Sequence, residues 1–420
     1  MNTRSRSLRP CVATLVALLT YAGAVHPQPN PGPASSEWVR ANDAVGRFLR
    51  GHIDILKAEQ AVTPNSGPAI GSVEGPALAV DEAVRLALEA RPDLAVSAAS
   101  SDEERRIAAA EVAKVRLESE QAWLSAVAAQ AQLPHIKLML DGAAVAQELS
   151  ARMVKVGNWG AERGAVHQMS FVRAQRQMLV SEQEAANARE ALVRVLPATN
   201  WSLPARLPKL PELSELSELS VPIAELEERA VRSHPRLALL QAKAELEERA
   251  AGTWALAQWR AAALEAVSEA QRRSAAAGGG AAPLPRLSPR IQQLPHAAQR
   301  AVTMRAEADD LERTVRSQVR TARADLVLMH RLALLANREE RSLYAALFED
   351  AQQRYNGMFI STWDLIASAQ SRSQGEAAAI KAVRDFWLAR AALQGLLAGA
   401  PFLGVKVVAG DASAAASPAH

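Results

Sequence analysis

The sequence predicts an all-α protein built from elongated antiparallel helical hairpins, two internal repeats forming a coiled-coil-like bundle with little or no β-barrel. Three observations carry this. Residues Ala301–Asn356 hold neither Pro nor Gly across 56 residues, enough for a helix of about 84 Å at ~1.5 Å per residue. Within that run Leu311, Val315, Val319, Ala322, Leu326 and Met329 recur at spacings of four and three, the pattern of a helix–helix seam. Only 4% of the 420 residues are aromatic, which suits thin seams between helices better than one thick core.

The N-terminus reads as a leader. Arg4, Arg6 and Arg9 precede an apolar run from Val12 to Ala22, and Ala22-Gly23-Ala24 offers a small-x-small cleavage site, so residues 1–24 are expected to be a signal peptide. Those arginines account for the whole formal charge of +3, leaving a processed chain near neutrality. No basic stripe remains for phosphates, and no nucleic-acid role is expected. The one cysteine, Cys11, lies inside the leader, which excludes thiolate chemistry and disulfides from the processed chain.

Residues 25–76 are punctuated by Pro, Gly and Ser and read as an irregular lead-in. A first repeat is assigned to residues 77–196. It begins with a short helix whose first turn carries Asp81 and Glu82 and which stops at Pro92. A long helix from about Ser101-Asp102 to Val156 follows, with a kink expected at Pro134. Gly157-Asn158-Trp159-Gly160 breaks it, and a return helix runs to Pro197. Five prolines between Pro197 and Pro222 make that stretch a crossover strap, because proline removes backbone donors and favours extended chain. The second repeat, residues 223–400, holds the 301–356 helix, a break at Gly357, and a return helix that Ser361 or Thr362 can cap. Its partner-facing residues are expected to include Ile380, Val383, Phe386, Leu393 and Leu397. Residues 401–420 read as a disordered tail.

The two return helices align at an offset of 201 residues, Ala188-Arg189 on Ala389-Arg390 and Leu192 on Leu393. The same offset places Gly157 on Met358 and Gly160 on Ser361. The helix-opening segments also match, Arg91-Pro92-Asp93-Leu94 resembling His234-Pro235-Arg236-Leu237, and together these argue for an internal duplication.

No catalytic constellation stands out, and no cofactor or metal is expected. The eight histidines form no His-x3-His or His-Glu-x-x-His pair. Met139, Met153, Met169 and Met178 lack the close pairing of a soft-metal site and are assigned to seam packing. Gly278-Gly279-Gly280 has no following Lys and no helix context for a phosphate loop. Trp159 and Phe359 are large apolar groups at hairpin turns. Either they pack on their own turn or they dock a partner.

Asp81-Glu82-Ala83-Val84 through Arg91-Pro92-Asp93-Leu94, the proline strap, and above all Arg354-Tyr355-Asn356-Gly357-Met358-Phe359-Ile360-Ser361-Thr362-Trp363-Asp364-Leu365 resemble the TolC-like outer-membrane efflux proteins over roughly residues 77–400. The resemblance implies a homotrimer whose helices enclose a tunnel for solute, capped by an outer-membrane β-barrel. It implies hairpin turns that face a periplasmic adaptor protein, which points to Gly157, Trp159, Gly160, Tyr355, Gly357, Phe359 and Ser361. The Tyr-x-x-Gly-x-x-Ser pattern of the turn is shifted, with its glycine one place early at Gly357.

The barrel is where the residues depart from the resemblance. From Pro92 to Gly157 is 65 residues and from Pro235 to Gly357 is 122, so the first copy lacks room for two membrane strands of ~9–11 residues. In the second copy residues 275–300 are rich in Gly and Pro without an aromatic, unlike a lipid-facing strand. No paired strands are expected in either place. The function therefore has two forms: an outer-membrane efflux component by resemblance, or a barrel-less periplasmic interaction protein that docks a partner without conducting solute.

Overall fold

The computed structural model describes residues 78–197, 207–213, 221–276, 278 and 284–402. They belong to one compact unit spanning Gly75–His420. The expected leader over 1–24, the lead-in over 25–76 and the tail beyond Phe402 lie outside the described residues, and no strand occurs among those that are described.

A short helix, α1 (Val80–Glu89), and a 3-10 turn at Pro92–Leu94 lead into α2 (Asp102–Lys155). Its start is written locally. Ser101 accepts the Glu104 backbone N–H at 3.2 Å while the Glu104 carboxylate accepts the Ser101 N–H at 2.8 Å, a capping box that satisfies two of the orphan donors at a helix start. Asp102, Glu103 and Glu104 sit in the first turn and Arg152 and Lys155 in the last, each complementing the helix dipole. Pro134 lies inside this helix without ending it. The return helix α3 (Ala161–Val195) completes the first hairpin.

The second half opens with α4 (Ile223–Ser233), α5 (Pro235–Ala251) and α6 (Thr253–Ala276). After a 3-10 turn at Pro289–Gln293 comes α7 (His296–Leu334), which continues through a π turn (Leu335–Glu340) into α8 (Arg341–Asn356). The return helix is α9 (Thr362–Leu397). The long helix thus begins five residues before the Ala301 expected from the sequence.

The two larger of four apolar clusters among the described residues form the main cores of the unit. In one, Val315, Val319, Ala322, Leu326 and Met329 of α7 are buried against Leu226 and Ala230 of α4 and against Phe386, Leu393 and Leu397 of α9, with Leu311 packed at the edge. The spacing of four and three is therefore the seam the sequence predicts. In the other, Leu78 and Ala83 meet Trp123, Leu124 and Val127 of α2 and Leu192 of α3. The Trp123 indole N–H donates to the Leu78 carbonyl at 2.8 Å, so a large ring is buried with its one donor satisfied. Trp387 packs against both cores, and its indole N–H donates to the Pro211 carbonyl at 3.1 Å. The described part of the strap bridges the same two cores, Leu207 and Leu210 against one and Leu213 against the other.

Helices α2 and α9 approach closely because small residues line the crossing. A side chain at Gly395 would come within 2.9 Å of Leu117, a distance real Cβ atoms do not tolerate without movement of a neighbour.

The two places where strands would be inserted hold other structure. Ser97 and Ser100 close a turn between the first 3-10 segment and α2, with Ser97 N–H donating to Ser100 Oγ at 3.1 Å. In the second half α6 occupies residues through Ala276 and residues 284–288 are irregular; residues 277 and 279–283 lie outside the described set. Methionine placement is partly corrected: Met169, assigned to a seam, is 54% exposed.

A candidate partner interface at the hairpin turns

Both hairpins turn with the same backbone. In the first, Asn158 N–H donates to Met153 O at 3.0 Å and Gly157 N–H to Val154 O at 3.0 Å. In the second, Phe359 N–H donates to Arg354 O at 2.8 Å and Met358 N–H to Tyr355 O at 2.9 Å. Each donor and acceptor of one turn maps onto the other by adding 201. These two bonds satisfy the orphan carbonyls at a helix end and require left-handed backbone at the residue after the cap. Gly157 supplies it in the first turn at φ 81°, and Met358 supplies it in the second at φ 64°.

Met358 is thus a side chain where glycine is the default, at a cost of about 1–2 kcal/mol. The neighbouring Gly357 is in ordinary right-handed helical conformation, φ −80° and ψ 0°. Its need for glycine is spatial: a Cβ there would lie 2.7 Å from the Phe359 ring. The early glycine noted in the sequence therefore makes room for Phe359 instead of relieving the backbone.

The next helix starts are equivalent too, with Gly160 and Ser361 both in extended backbone at the N-cap. Gly160 offers no side-chain cap. Ser361 offers a full one: its hydroxyl accepts the Asp364 N–H at 3.3 Å, and the Asp364 carboxylate accepts the Ser361 N–H at 3.0 Å. Hydrogen bonds from the Ser361 hydroxyl and then its backbone hold the Asp364 carboxyl below its usual range. Tyr355 is 37% exposed, and its phenol oxygen accepts from the Thr362 hydroxyl at 3.4 Å.

The two large apolar residues part company here. Trp159 is half-buried: its ring lies 4.8 Å from Trp363 and 5.6 Å from His167, and the Arg163 guanidinium sits 4.1 Å over its face. His167 in turn lies 4.4 Å from Trp363. This cluster joins the start of α3 to the start of α9, so both turns lie at the same end of the unit. Burial and then the nearby Arg163 hold the His167 imidazole below its usual pKa, which keeps it neutral for stacking. Phe359, in contrast, is 81% exposed and Met358 92%. Of the residues pointed to by sequence, Gly157, Gly160, Tyr355, Gly357, Phe359 and Ser361 shape the exposed turns and Trp159 binds one hairpin to the other.

Sequence reasoning missed Met358, Trp363, His167 and Arg163 as participants. The offset of 201 had already placed Met358 on Gly157, and that pairing was the available signal. Among the described residues no three His, Cys, Asp or Glu side chains converge as a metal would need, and no helix is long and apolar enough to cross a membrane.

No protein-family model and no curated protein matches the sequence. Solved structures do. A membrane protein from Pseudomonas aeruginosa matches over 79% of this chain and 74% of its own at 16% identity, with a TM-score of 0.51. The two share a fold. The CmeC outer membrane channel of Campylobacter jejuni matches at 13% identity over 71% of this chain, TM-score 0.48. The open-state MtrE outer membrane channel of Neisseria gonorrhoeae matches at 15% identity over 71%, TM-score 0.48. At these identities the likeness is one of fold, and this chain spans 65% of the length of the Campylobacter channel.

Proposed function

We propose that this chain is a non-enzymatic component of a cell-envelope efflux assembly. In this reading residues 1–24 direct export, the two hairpins descend from one duplicated unit, and copies stand side by side around a passage for solute. The turns at Gly157–Gly160 and Gly357–Ser361 meet a periplasmic adaptor protein.

One observation carries the docking assignment: Met358 and Phe359 are adjacent, 92% and 81% exposed, and held outward by a turn that keeps methionine in left-handed backbone. Burying either side chain against a partner would contribute about 1.5–3 kcal/mol, and backbone strain retained at a surface is a feature of sites with a use for it. Trp159 supports both turns from behind. An open groove lined by Leu347, Arg354, Ile360 and Asp364 runs from the turn between α8 and α9.

The test is capture of the cognate adaptor by the full chain. Phe359→Ala and Met358→Ser should each lower affinity at least tenfold with an unchanged melt; equal capture by the double variant would sink the docking assignment. A second reading keeps the docking and drops the conduction, because a turn at Ser97–Ser100 and the helix α6 stand where strands of a barrel would be inserted. Outer-membrane fractionation with a planar-bilayer conductance assay decides between the two.

A further inference from the structure

Helix α6 is apolar on two sides. Ala255, Leu256, Ala266 and Ala270 are buried, the first two against Ala298 and Ala301 at the start of α7. Trp254, Leu264 and Val267 are instead 69%, 71% and 43% exposed. At ~100° per residue these three share an arc of about 140° with Ala257 and Ala261, on the side away from the buried four. The charged residues within that arc are Arg260 and Arg272, while Glu265 and Glu269 lie beyond its edge. A helix that is apolar all round is normally covered on every side, and this face is open.

The chain that follows continues the pattern. Residues 270–299 carry four arginines and neither Asp nor Glu, in a processed chain that is near neutral as a whole. Leu284 and Leu287 are 84% and 41% exposed on either side of exposed Arg286, which makes no ion pair among the described residues. Arg260 pairs with Glu248 at 3.1 Å and Arg272 with Glu269 at 2.8 Å, but exposed pairs of this kind open at little cost. The patch is thus basic and apolar together. Two copies facing each other through it would set arginine against arginine, which disfavours a second chain as its cover. An anionic surface with an apolar interior meets both demands. No described helix is long and apolar enough to cross a membrane, so the arrangement is that of a helix lying on a bilayer. It is also separate from the docking turns, since Ala301 stands about 84 Å of helix from Gly357.

We propose that α6 and the segment through Leu287 bind the surface of a lipid bilayer that carries anionic headgroups. Trp254, Leu264 and Leu284 enter the boundary between headgroups and acyl chains. Arg260, Arg272 and Arg286 lay their stems along the apolar face and reach lipid phosphates with their guanidinium groups. The buried side of α6 keeps its hold on α7, so the contact ties the whole unit to the surface.

The test uses the chain recovered from the cell envelope after export, free of the apolar leader expected over residues 1–24, which would bind vesicles by itself. Flotation with vesicles of phosphatidylethanolamine and phosphatidylglycerol should carry the chain upward. Binding should be at least tenfold weaker to vesicles of phosphatidylcholine alone. Trp254→Glu/Leu264→Glu and, separately, Arg272→Glu/Arg286→Glu should each weaken it at least tenfold. All four side chains are exposed, so circular dichroism should stay unchanged. Trp254→Phe should bind as the unsubstituted chain does, yet lose part of the quenching of indole emission by brominated acyl chains. A chain that does not float, equal binding to both kinds of vesicle, a double variant that binds undiminished, or quenching unaltered by Trp254→Phe would each overturn the proposal. So would sedimentation showing that Trp254→Glu/Leu264→Glu separates copies of the chain in the absence of lipid. No adaptor enters the assay, so its outcome is independent of the docking assignment.

Discussion

The indole of Trp159 lies 4.8 Å from that of Trp363, tilted by 35°, and this pair is where the first hairpin turn is fastened to the second. His167 lies against both rings. Aromatic pairs of this kind contribute about 0.5–1.5 kcal/mol beyond their burial. Trp159→Ala and Trp363→Ala should each destabilise the chain by ~1–3 kcal/mol, and a double-mutant cycle in urea should return a coupling of at least ~0.5 kcal/mol. Additive losses would mean that the rings are neighbours without being linked.

Phe359 gives the contrasting result. With most of its ring in water, Phe359→Ala should change stability by no more than ~0.5 kcal/mol. A loss as large as that at Trp159 would place the ring in the fold and remove it from the docking surface.

The left-handed backbone at Met358 can be relieved. Met358→Gly should stabilise the chain by about 1 kcal/mol, whereas Gly157→Ala at the equivalent position should destabilise it by a similar amount. Urea midpoints of the two variants moving in the same direction would show that the turns are not equivalent in energy.

His234 caps α5 with its ring: the Leu237 N–H donates to Nδ1 at 3.2 Å, which requires the nitrogen to be unprotonated. Burial and then Arg236 hold the imidazole below its ordinary value of 6.5. A depressed histidine contributes stability that is present above that value and is lost as pH falls through it toward the lower native pKa. The melting temperature should therefore drop on acidification below about pH 6.5. His234→Asn should flatten that dependence by keeping a cap that does not titrate, while His234→Ala should cost ~1 kcal/mol at neutral pH.

Glu120 of α2 has the opposite sign. Burial raises its carboxyl above the ordinary value of 4.5, against the pull of Arg116 and Arg390 and with a smaller push from Asp81. Its ionised form is disfavoured in the fold, so the native state gains stability as pH falls through the raised pKa. Glu120→Gln should raise the melting temperature at neutral pH, and the gain should vanish below the ordinary carboxylate range. A variant that melts lower at neutral pH would mean that the arginines outweigh the burial.

The helical plan was legible because the long helices write their own limits. Ser101 with Glu104 and Ser361 with Asp364 are caps, and the seam from Val315 to Met329 repeats without interruption. The turns were legible as turns through Gly157 and Gly357, but their conformation was not. Glycine suggests left-handed backbone, and in the second turn that state falls one residue later, on Met358, while Gly357 answers to the Phe359 ring. Trp159 and Phe359 could not be separated by sequence, since what distinguishes them is Trp363, two residues beyond the second turn and more than two hundred from Trp159. The π turn left no local trace either. Its residues, Leu335 to Glu340, are ordinary helix formers.

Trp387 packs against both cores while its indole is tied to Pro211 of the strap. The consequence is thermodynamic: neither hairpin has a boundary at which melting can stop. Opening either core strips one side of that ring and frees the strap that crosses both, so the slowest-exchanging amides of α2 and α7 should share one opening free energy, and the two halves should be lost together in a single calorimetric transition.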